Sequence, residues 1–358
     1  MRKIDLVTVI LVLFSMAGCQ LDAEQPTIKY IETELLLEES KLEKIIYNLT
    51  HHLVFVYNSA DNTLLVLNAE QGQLLQSQPL PDQELIAWDF NINQSALYIL
   101  TEVTSQNQIY RLMIDEQGNL QTPEPIAVDE KPTSIAAGAD ETLFYTTENS
   151  QGKTVFLQYN ANNQQSETIS KSDEKMAIVG RNHDATYIYV ANLDSGMSVQ
   201  QWNVKNDITA PENSAKLFGE KNTPSHLTQT TDDDKLLALT SSSAADNGVI
   251  PIYAATDLQP QGNLSLDWQP IALTLTADNS RAIAAHDKTV NNSSESNPHD
   301  RNRYDIHIFD MQQSDYPEIG HILLPSQVQK NGLIVTRDYK VFALLGGTDA
   351  NTIAIITP

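Results

Sequence analysis

The sequence predicts an all-β fold, a seven-bladed β-propeller of four-stranded antiparallel blades closed by an N-terminal strand. Three observations predict it. A unit of 40 to 60 residues recurs seven times along the 358-residue chain. Short runs rich in Val, Ile, Thr and Tyr alternate with clusters of Asn, Asp, Gly and Gln, the texture of strands and tight turns. Few stretches show helical periodicity, and four hairpin-linked strands per repeat are the mark of a propeller blade.

Each repeat opens on an apolar anchor followed five residues later by a short polar turn-former. The pairs are Ile46 with His51, Ile86 with Asn91, Ile135 with Asp140, Ile178 with His183, Leu227 with Asp232, Leu273 with Asp278, and Leu333 with Asp338. Anchor spacings are 40, 49, 43, 49, 46 and 60 residues. The repeated Asp, Asn or His has a local role, because short polar side chains bond nearby backbone groups in the turn between a blade's first two strands.

An apolar strand follows each turn, as in Leu53-Val-Phe-Val-Tyr57, Ala96-Leu-Tyr-Ile-Leu100, Leu143-Phe-Tyr145, Tyr187-Ile-Tyr-Val190, Leu236-Leu-Ala-Leu239 and Val341-Phe-Ala-Leu-Leu345, with residues 281 to 285 the weakest. After another polar loop come strands such as Thr63-Leu-Leu-Val-Leu67, Gln108-Ile-Tyr-Arg-Leu112, Val199-Gln-Gln-Trp-Asn-Val204 and Asp305-Ile-His-Ile-Phe309. A more polar outer strand completes the unit.

The last repeat stops at Ile353-Ala-Ile-Ile-Thr-Pro358, one strand short, and an open edge is a liability. The segment Thr27-Ile-Lys-Tyr-Ile-Glu-Thr-Glu-Leu-Leu-Leu37 is predicted to supply the missing outer strand and close the ring. Residues 35 to 47, which also carry a weak helical pattern around Glu38-Glu-Ser-Lys-Leu-Glu-Lys44, are read as a connector.

Ahead of the propeller, Met-Arg-Lys precedes the apolar run Leu6-Val-Thr-Val-Ile-Leu-Val-Leu-Phe14, the order of a secretory signal. Spanning a membrane takes about twenty apolar residues, so this run is a removable export segment. It ends in Met16-Ala17-Gly18-Cys19, and Cys19 is the single cysteine of the chain. That tetrapeptide resembles the lipobox of bacterial lipoproteins. The resemblance implies cleavage before Cys19, a diacylglycerol on its thiol, and an amide-linked acyl chain such as palmitate; several chains anchor firmly. Gln20 in place of an aspartate favours the outer membrane under the same resemblance. The chain thus divides into a signal peptide at 1–18, a lipidated N-terminus and linker at 19–26, and a propeller at 27–358. An extended residue spans about 3.5 Å, so the ring would ride close to the membrane.

The copies containing Pro132, Pro224 and Pro270 read Pro-x-x-apolar-x-x-x-x-Asp before an apolar strand. This resembles the YVTN-type repeat of bacterial surface and lactonase-like propellers. The nearest match to the Tyr-Val-Thr-Asn tetrapeptide is Tyr189-Val190-Ala191-Asn192, and the other copies have drifted further.

The formal net charge is −24, becoming −25 once residues 1–18 with Arg2, Lys3 and Asp5 are removed. Nucleic acids are bound through Lys and Arg clusters, so this charge excludes them as partners. With no cysteine after Cys19, stability must come from core burial.

The longest polar loop runs from His286 to Arg303 between two strands and accounts for the 60-residue spacing. His286, Asp287, His299, Asp300, Arg301 and Arg303 make it the candidate binding loop. Imidazole and carboxylate suit divalent metals, but the long intervening run offers no preset geometry and no metal is assigned. Asp232-Asp233-Asp234 lacks the ligand spacing of a calcium loop and reads as a charged hairpin turn. Trp88, Trp202 and Trp268 fall in or beside strands of different blades and read as packing residues.

No nucleophile elbow, phosphate loop, zinc helix or dinucleotide fingerprint is present. No catalytic residue is named and no cofactor is expected. The favoured reading is a membrane-anchored envelope lipoprotein whose propeller binds an envelope or extracellular protein or polysaccharide. The alternative, implied by the lactonase-like resemblance, is a hydrolase with its site at the channel mouth, which would require His, Glu and Arg side chains converging there with shifted pKa values.

Overall fold

The computed structural model describes residues 27–30, 33–37, 40–81, 84–103, 106–128, 131–139, 141–149, 151–193, 198–205, 208, 210–216, 222–230, 232, 234–242, 248–266, 269–287, 304–346 and 351–357. The signal peptide, the lipobox and Cys19 lie outside them, as do Asp140, Trp268, His299, Asp300, Arg301 and Arg303.

The described chain begins with β1 (Thr27–Tyr30) and β2 (Thr33–Leu36). Blade one is β3 (Leu42–Asn48), β4 (Leu53–Asn58), β5 (Thr63–Asn68) and β6 (Leu74–Pro79). Blade two is β7 (Glu84–Phe90), β8 (Ala96–Val103), β9 (Gln106–Met113) and β10 (Glu124–Ile126). Blade three runs β11 (Lys131–Ala137), β12 (Thr142–Glu148), β13 (Thr154–Asn160), β14 (Gln165–Ser172). Blade four runs β15 (Met176–Arg181), β16 (Tyr187–Asn192), β17 (Ser198–Asn203), β18 (Asn213–Lys216).

Blade five is β19 (Asn222–Gln229), β20 (Lys235–Ser242), β21 (Val249–Ala254) and β22 (Pro260–Ser265). Blade six is β23 (Gln269–Leu275), β24 (Arg281–Asp287), β25 (Tyr304–Asp310) and β26 (Glu318–Leu324). Blade seven holds β27 (Val328–Val335), β28 (Val341–Leu345) and β29 (Thr352–Ile356). The fold is therefore the all-β, seven-bladed propeller the repeat predicts, and each of the seven anchors sits on an innermost strand.

The second strands are continuously apolar because both of their faces are covered. In β4, Phe55 and Tyr57 pack toward blade two, while Val54 and Val56 pack toward blade seven. The same alternation gives seven cores, one between each pair of adjacent blades, and the core joining Leu42 and Val56 to Phe342 and Ile353 links blade seven to blade one. At about 25 cal/mol per Å² of apolar area, these interfaces are the main source of stability in a chain without disulfides. Outer strands such as β6 face solvent, and β6 leaves Leu74 and Leu75 exposed ahead of its polar residues.

Every innermost strand carries a register shift against its neighbour, between Leu42 and Lys44, Leu85 and Ala87, Pro132 and Ser134, Ile178 and Gly180, Pro224 and His226, Pro270 and Ala272, and Val328 and Leu333. Proline, lacking an N–H, is tolerated at bulges and on edge strands. The Pro of the repeat in blades three, five and six stands immediately before the skipped residue, near the start of the strand at the inner edge of its blade.

Residues 27 to 37, expected as one outer strand, are two. The first, β1, runs parallel to β26 as a fifth strand of blade six, with Thr27 opposite Gly320. The second, β2, is antiparallel to β29, with Thr33 opposite Ile355. The expected connector at 35–47 is also revised: Leu42–Asn48 is the innermost strand of blade one, since Leu42 and Ile45 are buried against blade seven.

Candidate functional site

Turns between the first and second strands of each blade, together with loops between third and fourth strands, make up one face of the ring, here the upper face. Their geometry repeats. In blade four Asn182 Oδ1 accepts from the Tyr187 N–H at 2.8 Å, and Asp184 accepts from the Thr186 N–H at 3.0 Å and its hydroxyl at 2.6 Å. In blade two Asn91 and Asn93 do the same for Ala96 and Ser95. Thr276 and Asp278 serve Arg281 and Ser280 in blade six. Gln94, Ala185, Asn279 and Tyr339 all take positive φ between these partners, at 57°, 50°, 58° and 65°.

The position five residues after the anchor is therefore not one structural position. Asp232, Asp278 and Asp338 are the turn carboxylates, Asn91 is the strand-closing residue equivalent to Asn182, and His183 falls one short of Asp184. In blades two and four the anchor lies within or beside the bulge, which adds residues before the turn. Asp232 accepts from the Asp234 N–H at 3.2 Å between β19 and β20, and Asp233 lies outside the described residues.

At the inner edge of this face Asp89 of β7 and Arg181 of β15 form an ion pair. Arg181 Nε donates to Asp89 Oδ2 at 2.7 Å and Nη2 donates to the Phe90 carbonyl at 2.7 Å. The same Asp89 oxygen accepts from the Ala137 N–H of β11 at 2.9 Å, so three successive blades meet at one carboxylate.

Where blade seven meets blade one, the Tyr47 hydroxyl lies 2.7 Å from His52 Nδ1 and accepts from the Arg337 N–H at 3.2 Å. His52 Nε2 is 3.7 Å from Asp338 Oδ1. Burial lowers the His52 pKa, opposed by the Asp338 charge, and burial raises that of Tyr47. For Asp338 burial pushes upward, but hydrogen bonds, from Thr336 above all, outweigh it and leave the carboxyl below its ordinary value.

A cleft of about 390 Å³ opens on the upper face between blades two and three. Tyr98 and Arg111, which line it, belong to a row of cross-strand neighbours in blade two: Asp89 faces Tyr98, Tyr98 faces Arg111, and Arg111 faces Glu124. Directly opposed residues share a sheet face and lie about 5 Å apart, so one register line runs from the channel to the rim. Arg111 Nη2 donates to Glu124 Oε2 at 2.9 Å, and Nη1 stands 3.5 Å from Glu141 Oε2 in the turn of blade three. Asn91, Ser95 and Met113 complete the wall. Gly138 lines the cleft where a Cβ would lie 2.8 Å from the Phe144 ring, so the backbone approach there requires glycine. The Tyr98 hydroxyl is buried with the Arg111 guanidinium beside it, and burial raises its pKa against the pull of that charge.

The opposite face bears the loops between second and third strands. His286 and Asp287, expected in a loop, complete strand β24, and His286 is 4 % exposed. His286 Nδ1 is 3.0 Å from His307 Nε2, whose Nδ1 is 3.0 Å from Glu318 Oε1, with His321 at 3.6 Å from the same oxygen. The sequence reading missed His307, Glu318 and His321; the signal lies in register, since His307 pairs with His321 across two strands. Among the described residues no three His, Cys, Asp or Glu are arranged to hold a metal. Trp88 and Trp202 belong to the separate cores between blades one and two and between three and four, so the structure does not bring them together.

The sequence matches the family model described as "Lactonase, 7-bladed beta-propeller" over residues 88–259. No curated protein matches the chain. Among solved structures it is similar to the β-propeller domain of Cps50 (Swd1) from Myceliophteria thermophila, at 7 % identity and TM-score 0.64, covering 91 % of this chain and 100 % of that one. A chain of a mitotic checkpoint complex is similar at 12 % identity and TM-score 0.64, covering 96 % and 99 %, and a chain of Kuenenia stuttgartiensis hydrazine synthase at 10 % and 0.64, covering 91 % and 98 %. At such identities the likeness speaks to fold alone. The chain is a seven-bladed β-propeller, and from blade two into blade five its sequence is similar to the lactonase propellers.

Proposed function

We propose that this protein is a lipid-anchored envelope protein whose propeller binds an envelope or extracellular partner through its upper face. Lipid on Cys19 would tether it, on the resemblance of Met16-Ala17-Gly18-Cys19 to a lipobox. We further propose that the N-terminal segment closes the ring, β2 supplying the fourth strand of blade seven and β1 shielding the outer edge of blade six. The observation that carries the binding reading is the cleft between blades two and three. Among the described residues its lining combines an arginine, a glutamate, amides and hydroxyls with apolar groups, a mixed surface suited to recognition. Concave polar-and-apolar pockets of this size suit small ligands or the protruding group of a larger one.

The test is capture of envelope components by the full-length protein in detergent, beside two variants. In one, residues 288–302, between β24 and β25, are replaced by a short Gly-Ser turn; in the other, Arg111 is changed to Ala. Capture that survives the loop replacement and fails with Arg111→Ala supports the upper face. Loss with the loop alone places the contact on the lower face. Cys19→Ser should move the protein from the membrane fraction to the soluble one.

A second reading, a hydrolase acting on small lactones or esters, draws on the family match over residues 88–259 and on His52 held between Tyr47 and Asp338 at the inner edge of the same face. A neutral imidazole so placed is a candidate base. Hydrolysis of a lactone and ester panel that His52→Ala abolishes would favour it over binding alone.

A further inference from the structure

Among the described residues four large hydrophobic side chains are exposed: Leu74 at 41 %, Leu75 at 55 %, Ile319 at 36 % and Tyr339 at 38 %. Apolar side chains dotted singly over a surface need no explanation, but these four are gathered in one sector. Leu74 and Leu75 open β6, directly after the loop from the third strand of blade one. Ile319 stands at the same end of β26 in blade six, and Tyr339 lies in the turn between β27 and β28 of blade seven. All four thus sit at the upper-loop ends of three consecutive blades. The sector is tied together, because the Tyr339 hydroxyl donates to Asp278 of blade six at 2.8 Å and Lys340 Nζ donates to the Glu70 carbonyl of blade one.

The chain enters the fold in the same sector. β1 runs parallel to β26 with Thr27 opposite Gly320, so its first residue lies at the upper-loop end of blade six, opposite the neighbour of Ile319. Thr27 is eight positions from Cys19, a reach of at most about 28 Å. The inference rests on the reading of Cys19 as the lipidated residue: a lipid held there keeps this rim nearest the bilayer. Apolar side chains gain by leaving water, and a phenol such as Tyr339 suits the headgroup level. The net charge of −24 gives no attraction to anionic headgroups.

We propose that the upper rim of blades six, seven and one rests on the lipid surface, with Leu74, Leu75 and Ile319 entering the headgroup boundary. The ring then tilts, and the cleft between blades two and three stands off the bilayer, open to a partner. The contact is too small to hold the protein without its lipid, so Cys19→Ser still releases it.

The experiment attaches an environment-sensitive fluorophore to single cysteines in the full-length lipidated protein. Leu75→Cys and Ile319→Cys probe the sector; Asn162→Cys and Gln151→Cys, in the upper and lower loops of blade three, are the controls. All four positions are exposed, so Tm should not change. In phosphatidylcholine vesicles with brominated acyl chains, quenching about twofold or more greater at 75 and 319 than at 162 and 151 is expected, since interfacial apolar groups lie about 5–10 Å deep. Added anionic lipid should not increase it.

Equal quenching at all four positions, quenching confined to 162 or 151, or none at 75 and 319 overturns the proposal. A blue shift at 75 and 319 in native envelope membranes, without quenching in vesicles, would give the sector to a protein and overturn it equally. The parent protein separates the two readings. If it is vesicle-bound and unlabelled while 75 and 319 stay unquenched, the anchor stands and the lipid contact falls. If it is labelled at Cys19 and free of vesicles, the anchor falls and the proposal with it.

Discussion

Arg181 of blade four and Asp89 of blade two reach across the intervening innermost strand, their Nε and Oδ2 atoms 2.7 Å apart, and the same carboxylate oxygen holds the Ala137 N–H of blade three. Both side chains are mostly buried, so each charge depends on the other and on the backbone for the solvation it has lost. Changing Asp89 to Ala should therefore cost more than a surface ion pair would, about 2 kcal/mol in urea unfolding, because it strands a guanidinium and a backbone N–H. The pair of changes Asp89→Ala and Arg181→Met should cost clearly less than the sum of the two.

The clasp between blades seven and one should be acid-sensitive. Burial holds His52 below its ordinary value of 6.5, so the unfolded chain takes up a proton at a higher pH than the folded one. The stability of this group is complete above 6.5 and declines as the pH falls through that value to the lower folded one. The urea midpoint of the native protein should drop over that window, and more steeply than that of a His52→Gln variant. Equal slopes would refute the assignment.

Asp278 ties blade six to blade seven, accepting from the Tyr339 hydroxyl at 2.8 Å as well as from its own turn. Burial pushes its carboxyl upward, but hydrogen bonds from Thr276, Tyr339 and Ser280 overcome this and hold it well below its usual 3.8. Its contribution is thus present above the ordinary carboxyl pKa and lost only as the pH falls toward the depressed one. Thermal unfolding of Asp278→Ala should show a loss of about 1 kcal/mol near neutrality, and Tyr339→Phe a smaller one.

Gly262, on the outer strand of blade five, faces Tyr316 from the loop of blade six; a Cβ there would lie 2.7 Å from the ring. Tyr316 belongs to the core between those blades. Gly262→Ala is expected to destabilise by about 1–3 kcal/mol through overpacking, and a second change, Tyr316→Leu, should restore part of the loss.

The repeat was legible because a propeller uses one solution seven times: an innermost strand, a turn with a side-chain acceptor, and a second strand apolar on both faces. Runs such as Leu53-Val-Phe-Val-Tyr57 can hardly be read otherwise. The register of the turns was not legible, because bulges around Ile86 and Ile178 add residues that periodicity cannot see. Nor was the site. Asp89, Tyr98, Arg111 and Glu124 are spread over 36 residues and become neighbours only through strand pairing, and nothing local marks any of them. The loop at 286–303 drew attention by its composition, while His286 itself belongs to a strand and meets His307, which sequence distance hides.

The most direct test of a binding role for the upper face is site-specific photocrosslinking in intact cells. A photoreactive residue at Asn93, beside the cleft on the upper face, is compared with one at Gln151, in the loop between second and third strands of blade three on the opposite face. A discrete crosslinked partner is expected from position 93, abolished by Arg111→Ala, and none from position 151. A partner captured from 151 alone, or from both positions irrespective of Arg111, would overturn a binding role for the upper face.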